Sequence, residues 1–389
     1  MALSITQNPA IVSLAQSPII FTVAESSSAL LTSASFQYVG ELYYWTGSLT
    51  NSGSVPEYTL VKYPNTSNVG IFDLNRIINA TLTDLAYANT SNVKYYAIDF
   101  YSQYYTGTTY VTGSHLKSST YKALDGYSIF QEDIGEAIYN LTPHWPVMTD
   151  GPTTQSVLID DLGYAGVYTG VAGTLQPSKV TYTSNLGSAD FTLTGTTSTS
   201  GQIDSIPIAP AQSGFPLSTL GLEWYSIQSF DSLGNDLGTP IRFNIVCQQK
   251  YPNVRIMWKN RFGQFDYYSF YMVNRQSFQT EKRTYQPQLG TWEGSSLSYQ
   301  KYDSGVLNYV ADSKQMISVN SWWLSEEYNE IIKQLLVSDE IYWIYDQDNG
   351  YVRPLTIATQ NITFKTGVVD HLIQYQFDFN YGQAYKLII

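Results

Sequence analysis

The alternation of apolar and polar positions is clearest near the C-terminus. Tyr328, Ile331, Ile332, Leu335 and Leu336 recur at helical spacing and form one apolar stripe. Ser325 stands at the N-cap position, and Glu326 and Glu327 fall in the first turn, where they favour the helix dipole. The pattern predicts a helix over 325–336. After it, Ile373, Tyr375, Phe377, Phe379 and Tyr381 alternate with polar side chains, which predicts a strand with one buried face. Met316–Trp323 reads as a strand before the helix. Glu340–Tyr345 and Tyr351–Thr359 read as a pair joined by Asn349-Gly350, a hairpin signal because a type I′ turn needs positive φ at both central residues. A lone amphipathic helix among strands must cover a sheet face.

The rest of the chain is read as strands separated by Ser, Gly, Asn and Pro clusters. The class expected is mainly β: two immunoglobulin- or fibronectin-like β-sandwich domains, then a β-sandwich module flanked by one α-helix. Residues 1–145 form the first, with strands at Pro18–Val23, Ala34–Tyr38, Glu41–Trp45 and Tyr58–Tyr63, a hairpin over Val93–Gly113, and short helices at Asp73–Asn79 and Tyr127–Tyr139. Pro143 and Pro146 mark its end. Residues 146–250 form the second, with strands at Ser156–Asp160, Lys179–Thr183, Ala189–Thr194, Ile203–Ile208, Leu222–Ser229 and Ile241–Gln248. Residues 251–389 form the third. Within it, Val254–Lys259 and Phe265–Asn274 read as strands joined by a turn, and Ser277–Leu307 as a long polar excursion of the kind that carries function or is ordered by a partner.

Composition sharpens this. Tyr is abundant, 34 against 16 Phe, and suits surfaces that meet a partner yet stay soluble alone. The net charge of −12 argues against nucleic-acid binding. Residues 1–249 hold 7 Lys+Arg and 18 Asp+Glu, so nearly all of that charge sits there. The local basic excess is Lys250, Arg255, Lys259, Arg261, Arg275, Lys282 and Arg283, read as solvated strand ends or as a patch for a phosphate or an acidic neighbour. The single cysteine, Cys247, lies in an apolar run and reads as a buried thiol. The N-terminus lacks the charged and apolar regions of a signal peptide, and no apolar run is long enough for a transmembrane helix.

Chemistry is sparse. His115, His144 and His371 lack metal-ligand spacing. Ser114-x-x-Lys117, Ser119-x-x-Lys122 and Ser298-x-x-Lys301 match a serine–lysine spacing without companion motifs. Asp346-x-Asp348 fails the calcium-loop frame, and the acidic pairs Glu132-Asp133 and Asp160-Asp161 read as loop residues. No catalytic, cofactor or metal residue is expected.

Tyr251–Phe270 (YPNVRIMWKNRFGQFDYYSF) and Ser321–Tyr385, with Pro18–Trp45 and Gly70–Ile78, resemble virion structural proteins of tailed bacteriophages of the crAss-like, Bacteroidetes-infecting group. The last module is also similar to the tail-tube and distal-tail family. The resemblance implies no enzyme. It implies a virion protein made in the host cytoplasm, forming a six- or twelve-fold homo-oligomeric ring with other tail or connector proteins, without sequence-specific nucleic-acid binding or membrane insertion. The polar stretch 277–307 departs from a minimal tube module and favours a ring or hub. Interface candidates are Tyr267, Tyr268, Lys282, Arg283, Trp292, Trp322 and Trp323. Exposed Trp and Tyr also fit a second expectation, a tail-tip protein that binds carbohydrate or a receptor.

Overall fold

A computed structural model describes residues 3–47, 55–82, 93–128, 143–170, 177–193, 203–246, 250–346, 351–367, 373–382 and 386–388. The protein is mainly β, 51% strand against 7% helix, so sheet packing sets its architecture. The residues cluster into two compact units. One is Met1–Cys247 with Lys259–Asp266; the other is Gln248–Trp258 with Tyr267–Ile389.

The first unit opens with a sandwich. A three-stranded sheet, Leu3–Gln7, Ile20–Glu25 and Val69–Asp73, lies over a larger one built on Gln37–Trp45 and Val93–Tyr105. Alternation explains the inner face: in Ile20–Glu25 the buried residues are Phe21, Val23 and Glu25. Phe21, Val23 and Phe72 from one sheet pack with Tyr38, Leu42, Ile98 and Phe100 from the other. The helix expected at Asp73–Asn79 is Asn75–Thr81 and buries Ile78; Asp73 accepts from the Asn75 amide just before it, and a second short helix spans Ser28–Leu31. Of the second expected helix, residues 129–139 lie outside those described.

A second sandwich sets the sheet Thr154–Leu158, Asp236–Val246, Trp224–Asp231, Pro177–Ser184 and Gly187–Thr192 against the pair Tyr164–Tyr168 and Ile203–Pro207. Its core includes Val167, Val180, Tyr182, Ile206, Tyr225 and Ile227. Tyr182 donates its hydroxyl to the Pro207 carbonyl at 2.8 Å, so its polar end is satisfied inside. Leu14, Leu124, Trp145, Met148, Tyr168 and Phe262 form one further apolar cluster across this unit. His144, next to Trp145, is buried, with its ring nitrogens on the carbonyls of Thr239 and Gly151.

The second unit is an eight-stranded sheet. Its order is Phe265–Phe270, Val254–Lys259, Ile341–Asp346, Tyr351–Ile357, Gln376–Tyr381, Leu307–Asn320, Arg275–Tyr285, with Lys386–Ile388 also on Leu307–Asn320. A 3₁₀ turn Glu326–Tyr328 leads into the helix Asn329–Val337. Tyr328, Ile331, Ile332 and Leu335 are buried against Trp258, Phe270, Ile317, Val319, Phe377 and Phe379, so the predicted stripe is the packed face. Ser325 occupies the cap position with extended backbone but makes no side-chain cap bond. Ile373, Tyr375, Phe377 and Phe379 are buried, as their alternation requires. Asn349-Gly350 and Cys247 lie outside the described residues.

One expectation is corrected. Ser277–Leu307 is not an irregular excursion. Arg275–Tyr285 and Leu307–Asn320 pair antiparallel from Arg275↔Ser318 to Tyr285↔Leu307, with a bulge after Arg283. The sequence carries no period-two signal here because that signal needs one wet and one dry face, and Arg275–Tyr285 is exposed along its whole length.

Candidate interaction arm

This long hairpin is where the molecule departs most from ordinary packing. From Arg275 to Asp312 no side chain is buried; Ser313 is the first. Large apolar residues nonetheless crowd it. Phe278 is 57% exposed, Trp292 64% and Tyr302 83%, and Tyr285, Leu289, Leu297, Tyr299 and Tyr309 are exposed too. At its tip Thr291–Trp292 pairs with Leu297–Ser298 around a turn closed by the Glu293 amide on the Ser296 carbonyl, 3.0 Å. Gly294 in that turn has φ +82°, open to glycine at no steric cost.

A two-stranded hairpin alone is marginal in water, because it has no core to offset the ordering of its backbone. Arg275–Tyr285 is also the end strand of its sheet, which leaves a row of backbone donors and acceptors facing outward. Lys282 and Arg283 are exposed there and pair with no carboxylate among the described residues. Exposed aromatics, an open edge and free cations are the features of a surface that another molecule covers.

The other candidates separate. Trp322 and Trp323 are 42% and 44% exposed, and Trp322 lies beside Tyr271 with ring centroids 5.7 Å apart. Tyr267 and Tyr268 are buried and drop out as surface residues. Tyr268 sits in the helix-covered core, edge-on to Phe270 and Tyr328, and its hydroxyl accepts the Trp322 amide; burial pushes that hydroxyl well above its usual pKa. Tyr267 faces the guanidinium of Arg255, itself buried and donating to Ser269 at 2.8 Å. Adjacent aromatics therefore do not mark a surface when both faces of a strand are covered.

The basic excess also divides. Lys259 and Arg261 are buried in the first unit, where Lys259 pairs with Asp125 at 2.7 Å and Arg261 with Asp150 at 2.5 Å. These two are neither solvated strand ends nor a free patch. Asn260 Oδ1 accepts the amides of Phe262 and Gln264, tying the turn to itself. Gly263 has φ +68° and lies so close to Asp125 that any Cβ would strike its backbone. Asp266 is buried and accepts from Thr149 at 2.7 Å. Burial pushes its carboxyl up to about 7; the Thr149 and Asn260 hydrogen bonds partly offset this and the Asp150 charge adds to it.

His115 is exposed against Asp99 at 2.9 Å, and His371 lies outside the described residues. Lys122 is buried with its ammonium on the Gly170 carbonyl, and desolvation lowers its pKa. Asp161 caps the Leu158 amide. Among the described residues no three His, Cys, Asp or Glu converge as a metal site, and no helix is long and apolar enough to cross a membrane.

No protein-family model matches the chain, and no curated protein matches it. Among solved structures it is similar to dimeric latent PorU from Porphyromonas gingivalis, at 9% identity and a TM-score of 0.20, over 82% of this chain and 32% of that one. The chain thus spans about a third of that protein, and a likeness this loose carries no argument.

Proposed function

We propose that this protein is a structural component of a tailed-bacteriophage virion that self-assembles into a ring in the tail or head–tail connector region, without catalytic activity of its own. One observation supports the reading most: a hairpin with no buried side chain from Arg275 to Asp312 yet with exposed aromatics along its strands and tip. Proteins of obligate assemblies hold such elements because a neighbouring copy completes their core. The phage assignment rests on the sequence resemblance at Tyr251–Phe270 and Ser321–Tyr385. On this reading the protein is made in the bacterial cytoplasm and ends in the virion.

The test is an internal deletion of residues 282–300. Purified wild-type protein should form closed oligomers in negative-stain images. The deletion variant should stay monomeric, and at dilutions where the wild type is monomeric too it should melt with the wild-type midpoint. A wild-type protein that stays monomeric at high concentration, or that cleaves a glycan in a dose-dependent assay, overturns the reading. A second reading, glycan or receptor binding at the tail tip, draws on the half-exposed Trp322 and Trp323. Retained assembly with glycan binding lost in Trp322→Ala would favour it.

A further inference from the structure

Assembly through an arm requires a place for the arm to land, and the second unit carries a surface of matching chemistry. Arg353 lies directly opposite Trp343 on the neighbouring strand. Its guanidinium rests 4.0 Å from the centroid of the Tyr345 ring and 5.7 Å from that of Trp343. Tyr345 and Tyr351 lie nearly parallel, 6.1 Å apart and tilted by 19°. Tyr381 meets Trp343 edge-on at 5.9 Å. On the same strands Ile341 and Leu355 are inside the helix-covered core, whereas Tyr345 is 41% and Tyr351 56% exposed. The apolar face therefore runs out from under the helix into an open aromatic shelf with one arginine over its rings.

That arginine has no carboxylate or hydrogen-bond partner among the described residues. The cation–π contact holds it over the rings, and a guanidinium so held keeps N–H donors for a carboxylate. Tyr, Trp and Arg are also the residues that dominate binding energy at protein interfaces.

The arm supplies the complement. Of its acids, Asp303 is engaged in its own turn through the Gln300 amide, and Asp312 has a partner already. Glu281 sits beside Lys282 in mid-strand. Glu293 stands at the tip turn, exposed and unpaired among the described residues, next to Trp292. Trp292 makes no ring contact with the shelf of its own chain.

We propose that the shelf receives the arm tip of a second copy, with Glu293 meeting Arg353 and Trp292 lying on Tyr345 and Tyr351. This rests on the self-assembly reading above and names its second surface. The two patches differ, so the contact is head-to-tail and can propagate around a ring. It also places opposite charges together between chains that each carry −12 and otherwise repel.

A charge-reversal cycle tests it, read by mass photometry over a concentration series on full-length protein. Arg353→Glu and Glu293→Arg should each raise the half-assembly concentration by about tenfold or more. The double reversal should return it to within about threefold of wild type. Both residues are exposed, so melting midpoints equal to wild type at dilutions where every variant is monomeric confirm that folding is intact. Single reversals that assemble like wild type, or a double no better than the worse single, overturn the proposal. If the deletion of 282–300 abolishes assembly while the reversals do nothing, only the shelf assignment falls. If wild type never assembles, self-assembly fails first. Loss of uronic-acid oligosaccharide binding in Arg353→Glu, with assembly intact, would make the shelf a glycan site and the proposal wrong.

Discussion

Two β-hairpins follow one another in this chain and meet opposite fates. Val254–Lys259 and Phe265–Phe270 bury every residue, whereas Arg275–Tyr285 buries none. Both are rich in aromatics and both carry two or more basic residues. What separates them is the supply of partners. The turn Lys259–Asp266 has carboxylates waiting at Asp125 and Asp150, a glycine where the chain must turn left, and an Asn that ties the amides together. The arm has its own left-turning glycine at Gly294, but no carboxylate among the described residues meets its Lys282 or Arg283. Burial of charge is allowed only where each charge is met, so the first hairpin is specified by distant residues and the second is left open.

The largest effect should come from unbalancing the buried turn. Arg261→Ala leaves Asp150 buried without its cation. Breaking one side of such a pair costs about 3–5 kcal/mol. Denaturant unfolding should show this as a lower midpoint with unchanged slope. A loss under about 1 kcal/mol would mean that water reaches the turn, and the contrast with the arm would collapse.

Next comes the helix of the second unit. Leu335 is 1% exposed, packed in the same core as Phe377 and Phe379. Leu335→Ala should cost about 2–5 kcal/mol through lost transfer energy and a residual cavity. Leu336, half-buried at the edge of the same core, should cost less when truncated. Equal costs would show that the helix is rotated from the face assigned to it.

The third effect is a pH dependence. Asp266 has its carboxyl raised from 3.8 to about 7 in the folded protein. Its unfolded form loses the proton first, so between pH 4 and pH 7 the folded state binds more protons. Stability from this group is full below about 4, falls as pH rises through 7, and is level above that. From pH 5 to pH 7 the loss should be about 2 kcal/mol, and Asp266→Asn should flatten the profile in that window. A profile rising with pH in the wild type would refute the assigned sign.

How much of this was legible in the sequence follows from where the information sits. The helix and the strand ending at Tyr381 each declare their buried face by local period, and both faces are as read, although the α-helix begins only at Asn329 after a 3₁₀ turn and the strand at Gln376. Most strands of the second sandwich fall within two residues of their predicted ends, because turn residues bracket them; Tyr164–Tyr168 was missed among its glycines. The arm's strands were invisible because neither face is dry. The ion pairs Lys259–Asp125 and Arg261–Asp150 join residues more than a hundred positions apart, which no local pattern encodes. Tyr267-Tyr268 misled for a related reason: a doublet signals exposure only if one face of its strand is open. Arg353 gave no signal at all, since its partner rings come together only through strand register.

The smallest effect on stability should come from the arm, and that smallness is the informative result. Trp292 is 64% exposed, and Lys282 pairs with no described residue. Neither side chain has buried contacts to lose in the isolated chain. Trp292→Ala and Lys282→Ala should therefore change unfolding free energy by no more than about 0.5 kcal/mol. Measured at assembling concentrations, the same Trp292→Ala variant should lower the apparent melting midpoint, because an oligomer stabilises its folded subunits by mass action. Dilution should erase the difference. A Trp292→Ala variant destabilised equally at every concentration would show that the side chain packs within its own chain, and the arm would then be a second buried hairpin like the first.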